Sequence, residues 1–281
     1  MSTLKPRWRW TKPLRRGEED AWLELLGALE PGTYFISSQG ENGRPKVDIY
    51  APGKAALRSW QREHGGRIVP LRPADLRLPH VAGGPIRIGR DLILLPSDDL
   101  PPPKDAPPGA RILRVPPNMA FGTGEHATTG MMLRQMARLS LWAEAPAVLD
   151  AGTGSGVLAL AARHWGAREV LAFDSEEVAI RIARENELRN FGDAWIDFRV
   201  ATIEGLRCRR KFGLVVVNLY SELLITSASR LAGWLRPGGT LLASGILHRQ
   251  EVEVIRAFRQ AGLALVTRKR KGRWVMLHMQ A

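Results

Sequence analysis

Short apolar runs alternate with helical segments throughout the second half of the chain. Apolar runs predict strands at 147–151, 169–173, 196–200, 214–218 and 240–244, with helices at 175–190, 222–235 and 249–261 between and after them. Two more strands, at 263–267 and 274–278, are joined by so short a segment that they must be antiparallel neighbours. The pattern therefore predicts an α/β fold with a Rossmann-like, doubly wound parallel sheet that ends in an antiparallel hairpin.

The first part of the chain has a different pattern. Apolar positions at helical spacing predict a helix at 18–29, and a strand pair, a helix and a strand follow at 34–36, 47–50, 54–64 and 67–71. Before them, basic residues surround Trp8 and Trp10. Such aromatic residues can stack on bases or pack on a neighbouring sheet, but we expect a solvated basic arm held down by its tryptophans. We therefore predict a small α+β domain over residues 1–80.

A proline-rich segment separates these two patterns. Strands are predicted at 86–88 and 92–95, and eight prolines then fall between Pro96 and Pro117, with one more possible strand at 111–115. Such a composition favours an extended, semi-rigid chain, which marks a domain boundary. The predicted division is therefore a small domain at 1–80, a strand pair with a proline-rich linker at 81–117, and a main domain at 118–281.

Composition limits the environment and the partners of the chain. Its 281 residues contain no apolar stretch of about 18 residues, so no membrane span is expected. The single cysteine, Cys208, excludes an intrachain disulfide and fits a reducing cytoplasm. The net charge of +13 favours a polyanionic partner such as ribosomal RNA or an RNA-bound protein. An arginine-rich composition without functional meaning is the alternative.

Three alternate glycines follow the predicted strand at 147–151. Gly152, Gly154 and Gly156 let the chain turn sharply and let a ligand approach the backbone, and an apolar run that suits a helix begins at Val157. The G-x-G-x-G spacing with Asp150 ahead of it resembles the signature of methyltransferases that use S-adenosylmethionine (SAM) more than a nicotinamide fingerprint. A glycine-rich turn without a ligand is the alternative.

Polar residues at the ends of the later strands are further site candidates. Asp174 ends the second strand 22 residues after Gly152, where an acid is placed to accept hydrogen bonds from ribose hydroxyls. Glu204 follows the third strand, where either an adenine contact or a surface loop is expected. Asn218 ends the fourth strand, and its carboxamide can accept from a substrate amine and donate to a cofactor, or cap a helix.

The segment at 121–129 resembles a known family signature. Its sequence Phe-Gly-Thr-Gly-Glu-His-Ala-Thr-Thr is similar to the F-G-T-G-x-H-x-T-T motif of the PrmA family, bacterial enzymes that methylate protein eleven of the large ribosomal subunit. The glycine loop, Asp174 and the segments 217–219 and 244–247 match in order and spacing. The resemblance covers roughly residues 84–281 and departs from the family at Ala127, at Glu176 and at 220–222.

The resemblance implies a class I SAM-methyltransferase fold, a ribosomal protein substrate, and a substrate-recognition role for the small domain at 1–80. It implies that the cofactor contacts fall on Thr129, Gly152, Asp174 and Asn218, and that Phe121, Thr123 and His126 line the pocket. We add Asp150, Gly154, Gly156 and Glu204 to the cofactor-binding candidates on their positions. No metal-binding pattern occurs in the sequence, and none is required for methyl transfer.

Transfer to lysine needs a neutral amine, whereas a lysine amine with a reference pKa of about 10.4 is mostly protonated near neutrality. We expect Asn218 and the backbone carbonyl of Leu219 to hold that amine. His126 is a candidate proton acceptor, with a structural role as the alternative. Two other functions remain open: a SAM enzyme acting on another protein, RNA or a small amine, and a ribosome- or RNA-binding module without enzymatic activity.

Overall fold

The chain divides into two compact units, Met1–Gly84 and Pro85–Ala281. The computed structural model describes residues 7–15, 18–26, 29, 34–38, 45–71, 84–116 and 126–281. Among the helices of these ranges, none is both long enough and apolar enough to cross a lipid bilayer.

The smaller unit contains an antiparallel sheet with two α-helices. Its sheet has the strand order β2-β3-β1-β4. A 3₁₀ turn at Lys54–Leu57 precedes its second helix. The elements in chain order are β1 (Trp8–Pro13), α1 (Glu19–Leu26), β2 (Tyr34–Ser38), β3 (Pro45–Ala51), α2 (Arg58–His64) and β4 (Arg67–Pro70).

Residues 8–13 of the predicted basic arm instead form an interior strand of this sheet. β1 pairs with β3 on one side and with β4 on the other. Trp10 is fully buried, and its ring nitrogen donates to the Gly65 carbonyl oxygen at 2.8 Å. The rings of Trp22 and Trp60 lie 5.8 and 5.9 Å from the Trp10 ring. The prediction was wrong because burial of one tryptophan in an aromatic core outweighs the basic composition around it.

The larger unit contains the predicted α/β fold. Its seven-stranded sheet has the order β10-β9-β8-β11-β12-β14-β13, in which β14 pairs antiparallel with both of its neighbours. The elements are β5 (Ile86–Ile88), β6 (Leu92–Leu95), β7 (Arg111–Arg114), α3 (Ala127–Met136), β8 (Ala147–Ala151), α4 (Val157–His164), β9 (Glu169–Asp174), α5 (Glu177–Phe191), β10 (Asp197–Val200), β11 (Phe212–Asn218), α6 (Ser221–Thr226), α7 (Ala228–Gly233), β12 (Leu235–Leu247), α8 (Glu251–Gln260), β13 (Ala264–Lys271) and β14 (Trp274–Gln280). The predicted doubly wound sheet with a terminal antiparallel hairpin is confirmed.

Helices cover both faces of this sheet, which explains the continuous apolar character of its central strands. Every residue of β8 is buried. Side chains of α3, α4 and α5 form one core with one face, and side chains of α6, α7 and α8 form a second core with the other. The helix predicted at 222–235 is two short helices because Ser227, with φ −97° and ψ 3°, leaves the helical conformation between them.

Residues 85–116, predicted as a strand pair and linker, lie within the larger unit. β5, β6 and β7 form a small sheet of their own. Ile88, Leu113 and Val115 are fully buried in the core beside α3 and α4. Asn190 of α5 accepts from the backbone N–H of Arg114 at 2.6 Å and donates to its carbonyl oxygen at 2.9 Å. The proline-rich segment therefore connects strands β6 and β7 of the larger unit. These strands pack on the unit because their apolar side chains are stabilised by burial.

Candidate active site

Three central strands end at the same edge of the large sheet. Ala151 at the end of β8 lies opposite Phe173 of β9 and opposite Val217 of β11. The residues that follow, Gly152, Asp174 and Asn218, therefore meet at the carboxyl edge. Chain connections leave β8 and β11 in opposite directions, and ligands of open α/β sheets bind at such a point.

The glycine loop adopts a conformation that other residues rarely adopt. Gly152, Gly154 and Gly156 have φ values of +73°, +55° and +83°. A Cβ atom on Gly152 would lie 2.7 Å from Cδ2 of Leu219, and one on Gly156 would lie 3.0 Å from Cβ of Ala183. The first glycine therefore allows close approach to the end of β11, and the third allows α4 to begin against α5.

Asp174 joins the end of β9 to the glycine loop. Its Oδ2 atom accepts from the backbone N–H of Gly154 at 2.9 Å, and its Oδ1 atom accepts from the N–H of Glu176 at 3.1 Å. The side chain is only partly buried. Because both bonds fix the carboxylate while leaving it accessible, it can accept further hydrogen bonds from ligand hydroxyl groups.

Asp150 stabilises the glycine loop through hydrogen bonds from a buried position. Its side chain is fully buried, and Oδ2 accepts from the Thr153 hydroxyl at 2.7 Å and from the Ala159 N–H at 3.2 Å. The pKa of Asp150 is raised to about 7, chiefly by burial and to a smaller extent by the Asp174 charge, while the hydrogen bonds from Thr153 and Ala159 oppose this rise. These contacts make Asp150 a support of the loop.

Asp150→Asn should reduce the pH dependence of the free energy of unfolding. The folded-state pKa near 7 exceeds the reference value of 3.8, so the native state binds a proton more tightly than the unfolded state. The stabilisation of the folded state by this proton is complete below the reference pKa. It is lost as pH rises through about 7, at up to about 1.4 kcal/mol per pH unit. Urea unfolding at several pH values should therefore show a steeper loss of stability in the wild type than in Asp150→Asn, and parallel curves would contradict the prediction.

Asn218 has one amide atom engaged and the other available. Its Nδ2 atom donates to the Thr129 hydroxyl of α3 at 3.3 Å. Its Oδ1 atom is buried and receives no hydrogen bond from any described residue. Because buried polar atoms nearly always have a partner and this one lies at the carboxyl edge of the sheet, we interpret this oxygen as a candidate acceptor for a ligand donor.

Leu219 is fixed next to Asn218 by β12. Its backbone N–H donates to the Ser244 carbonyl oxygen at 3.1 Å. A Cβ atom on Gly245, whose φ is +83°, would lie 2.3 Å from the Leu219 carbonyl oxygen. Only glycine therefore permits β12 to hold this carbonyl so closely.

His126 lies at the start of α3, where it acts as the helix cap. Its Nδ1 atom accepts from the Thr128 N–H at 3.4 Å and lies 2.8 Å from the Thr128 hydroxyl. The imidazole also meets the Trp274 ring edge-on, with centroids 5.1 Å apart. These contacts favour the structural alternative for His126, since Nδ1 is engaged by its own helix.

Glu204, Phe121 and Thr123 are the remaining predicted site residues. Glu204 is exposed in the turn after β10, and no described hydrogen bond joins it to the glycine loop. Phe121 and Thr123 lie outside the described residues. Sequence reasoning did not single out Trp274, which reaches His126 only because β14 pairs with the end of β12; no local sequence signal could have indicated that contact.

Comparison with known proteins identifies the family. The family described as ribosomal protein L11 methyltransferase (PrmA) matches residues 83–281. The chain belongs to the PrmA family. The match begins close to the start of the larger unit and includes every element of the candidate site, so the family predicted from the sequence is confirmed.

Individual PrmA relatives agree with this assignment. The ribosomal protein L11 methyltransferase of Symbiobacterium thermophilum is 37% identical over 193 residues, which are 69% of this chain and 61% of that protein. The one from Geobacter metallireducens is 37% identical over 239 residues, 81% of this chain and 76% of that protein. The chain thus spans less than two thirds of the Symbiobacterium protein.

A solved PrmA structure has the same fold. The crystal structure of the ribosomal protein L11 methylase from Lactobacillus delbrueckii subsp. bulgaricus superposes with a TM-score of 0.62 at 31% identity, covering 70% of this chain and 98% of that one. The larger unit therefore has the class I SAM-methyltransferase fold of this family.

Proposed function

We propose that this protein is a SAM-dependent methyltransferase that modifies lysine ε-amino and α-amino groups of ribosomal protein L11. The observation that carries the proposal is the buried, unpaired Oδ1 atom of Asn218 beside the glycine loop. A protein that only binds RNA or the ribosome does not require a hydrogen-bond acceptor held beside the glycine loop. The names of the PrmA relatives support L11 as the substrate.

The residues at the carboxyl edge fit SAM. Asp174 offers a fixed carboxylate for ribose hydroxyls, and the glycine loop offers a backbone that a ligand can approach closely. Asn218 is joined to α3 by the hydrogen bond that its Nδ2 atom donates to the Thr129 hydroxyl. SAM supplies a methyl group on a positively charged sulfur, which is already electrophilic enough to react with a neutral amine.

The protein must therefore select and orient the neutral amine. Asn218 Oδ1 can accept one amine N–H, and the Leu219 carbonyl can accept another, which directs the nitrogen lone pair away from both. These acceptors alone would also attract an ammonium ion, so its proton must leave before transfer, to water or to a nearby group. Orientation of the amine should then contribute much of the rate enhancement.

Asn218→Ala should lower turnover far more than it lowers SAM affinity. Loss of the amide oxygen removes one of two contacts that orient the amine, which we expect to reduce kcat about 100-fold. The measurement is transfer of labelled methyl groups from SAM to purified L11, together with calorimetric SAM titration. Asn218→Asp, which keeps an acceptor oxygen, is the matched variant and should retain more activity than Asn218→Ala. Wild-type kcat in Asn218→Ala would contradict the assignment.

The acceptor and the cellular setting form part of the same proposal. A chain that modifies a ribosomal protein works where ribosomes are assembled, in the cytoplasm, and its net charge of +13 suits contact with ribosomal RNA. Offering L11 and ribosomal RNA together to the enzyme with labelled SAM tests the acceptor directly. Label in L11 supports the proposal, whereas label in RNA alone would show that the substrate is a nucleic acid and not L11.

A further inference from the structure

Positive charge is concentrated at one border of the large sheet. β13 is the outermost strand on that side. We define the basic edge as two exposed residues of the neighbouring helix α8 and four consecutive residues of β13: Arg256, Arg259, Arg268, Lys269, Arg270 and Lys271. Residues 248–281 contain eight Lys and Arg against two Glu, a net charge of +6 out of the total of +13.

Little of this charge is neutralised within the protein. Arg268 and Arg270 share a single buried carboxylate, Glu251, at 2.9 and 2.5 Å. The other four cations form no ion pair with the residues that the structure describes. Burial and, to a smaller extent, the nearby Arg138 guanidinium lower the pKa of Lys269.

The basic end of β13 lies at the same edge of the sheet as the candidate active site. Arg268 and Lys271 pair with Leu277 and Trp274 of β14. Trp274 in turn pairs with Leu247, at the carboxyl end of β12. Because β12 and β14 separate β13 from β11, the basic edge is about 14 Å to the side of the Asn218 strand.

A shallow groove between α8 and β13 adjoins the arginines of the basic edge, whereas Lys269 and Lys271 alternate to the other face of β13. Its volume is about 600 Å³, its floor is formed by Val252, Ile255 and Leu265, and Arg256, Arg259 and Arg268 stand along it. Guanidinium groups beside an open aliphatic floor can bind phosphates and stack on unpaired bases. Protection of an edge strand by charge would explain the lysines of β13, but it does not explain the two arginines of α8.

We propose that the basic edge binds the phosphodiester backbone of RNA, beside the methyl-transfer site and separate from it. The proposal rests on the proposed function in locating the RNA contact suggested there. The positive charge of the basic edge would suit either RNA or an anionic lipid surface. RNA is favoured because the exposed apolar side chains near the groove are small aliphatics and lack the aromatic residues that anchor interfacial helices. An acidic peptide that adds to the open edge of β13 is an outcome that the test distinguishes.

The test removes four cations that hold no other side chain in place. The quadruple variant Arg256→Gln, Arg259→Gln, Lys269→Gln and Lys271→Gln leaves the pairs of Glu251 intact. Fluorescence anisotropy with a labelled single-stranded RNA of about 20 nucleotides should show at least about tenfold weaker binding near physiological salt. The slope of log K against log salt should become shallower by up to about 3, since each phosphate contact contributes about 0.7.

The matched control removes the same charge elsewhere. Arg168, Arg181, Arg207 and Arg209 are exposed and lie outside the basic edge, and their joint replacement by Gln gives a protein of equal net charge. This control should bind RNA within about threefold of the wild type. Both variants should methylate free L11 at the wild-type rate, because neither set of residues belongs to the candidate active site.

Three results would overturn the proposal: wild-type RNA affinity in the basic-edge variant, equal weakening in the control, or dependence on the basic edge for an acidic peptide or anionic vesicles but not for RNA. Failure of the proposed function is recognised separately. If no form of the protein transfers methyl groups to L11 while RNA binding still follows the basic edge, the RNA site stands and the enzymatic assignment falls.

Discussion

Asp174→Ala should abolish measurable SAM binding while leaving the larger unit folded. The carboxylate accepts the N–H groups of Gly154 and Glu176 and is placed to accept ribose hydroxyls. A hydrogen bond to a charged group contributes about 1.5–3 kcal/mol, so two lost ribose bonds predict binding more than about 100-fold weaker. Release of the glycine loop should weaken binding further. Isothermal titration of SAM measures the effect.

The matched control for this change is Glu177→Gln, which removes a nearby carboxylate from the first turn of α5. This residue makes no described contact with the glycine loop, so SAM affinity should stay within about threefold of the wild type. Circular dichroism and a thermal melt establish that Asp174→Ala is folded. A folded variant with unchanged SAM affinity would remove Asp174 from the site.

Gly245→Ala should destabilise the larger unit and also abolish the proposed methyl-transfer activity. Gly245 has φ +83°, and a Cβ atom there would lie 2.3 Å from the Leu219 carbonyl oxygen and 2.7 Å from the Leu219 carbonyl carbon. Because the opposing atoms belong to the backbone, no rotamer change relieves the contact. The left-handed conformation alone costs about 1–2 kcal/mol, and with the clash we expect a loss of about 3–5 kcal/mol.

For a unit of this size such a loss corresponds to a Tm lower by about 10 °C. Any relief of the clash moves the Leu219 carbonyl, so L11 methylation should fall even in the folded fraction at low temperature. Gly233→Ala is the control, since a Cβ atom there has nothing within 4 Å and Gly233 has no positive φ. Equal Tm values for the two variants would show that β12 tolerates a side chain beside Leu219.

Most of the site could be predicted because its residues occupy ends of strands. An apolar run that is buried on both faces is visible in the sequence, and its last residue falls at the sheet edge in any doubly wound fold. Asp174 and Asn218 follow from that rule, and the alternate glycines follow from the backbone turn that they permit. The motif at 121–129 then indicated the PrmA family, which the comparison confirms.

Contacts between distant segments could not be predicted in the same way. The pairing of β1 with both β3 and β4 places Trp10 in a core, although its immediate neighbours in the sequence favour an exposed arm. The burial of Ile88 and Leu113 likewise draws a proline-rich segment into the larger unit. In both cases the free energy of burying apolar surface depends on partners far away in the chain.

The sequence by itself determined the alternation of strands and helices in the larger unit, the conformation of the glycine loop and the family, because each depends on local periodicity, backbone freedom or a contiguous motif. Only the tertiary structure decided which polar atoms are satisfied. Folding buries Asp150 beneath the loop, engages Nδ1 of His126 in a helix cap and leaves Oδ1 of Asn218 without a described donor. Those differences arise from packing between segments, and they separate the residues that support the site from those that can act in it.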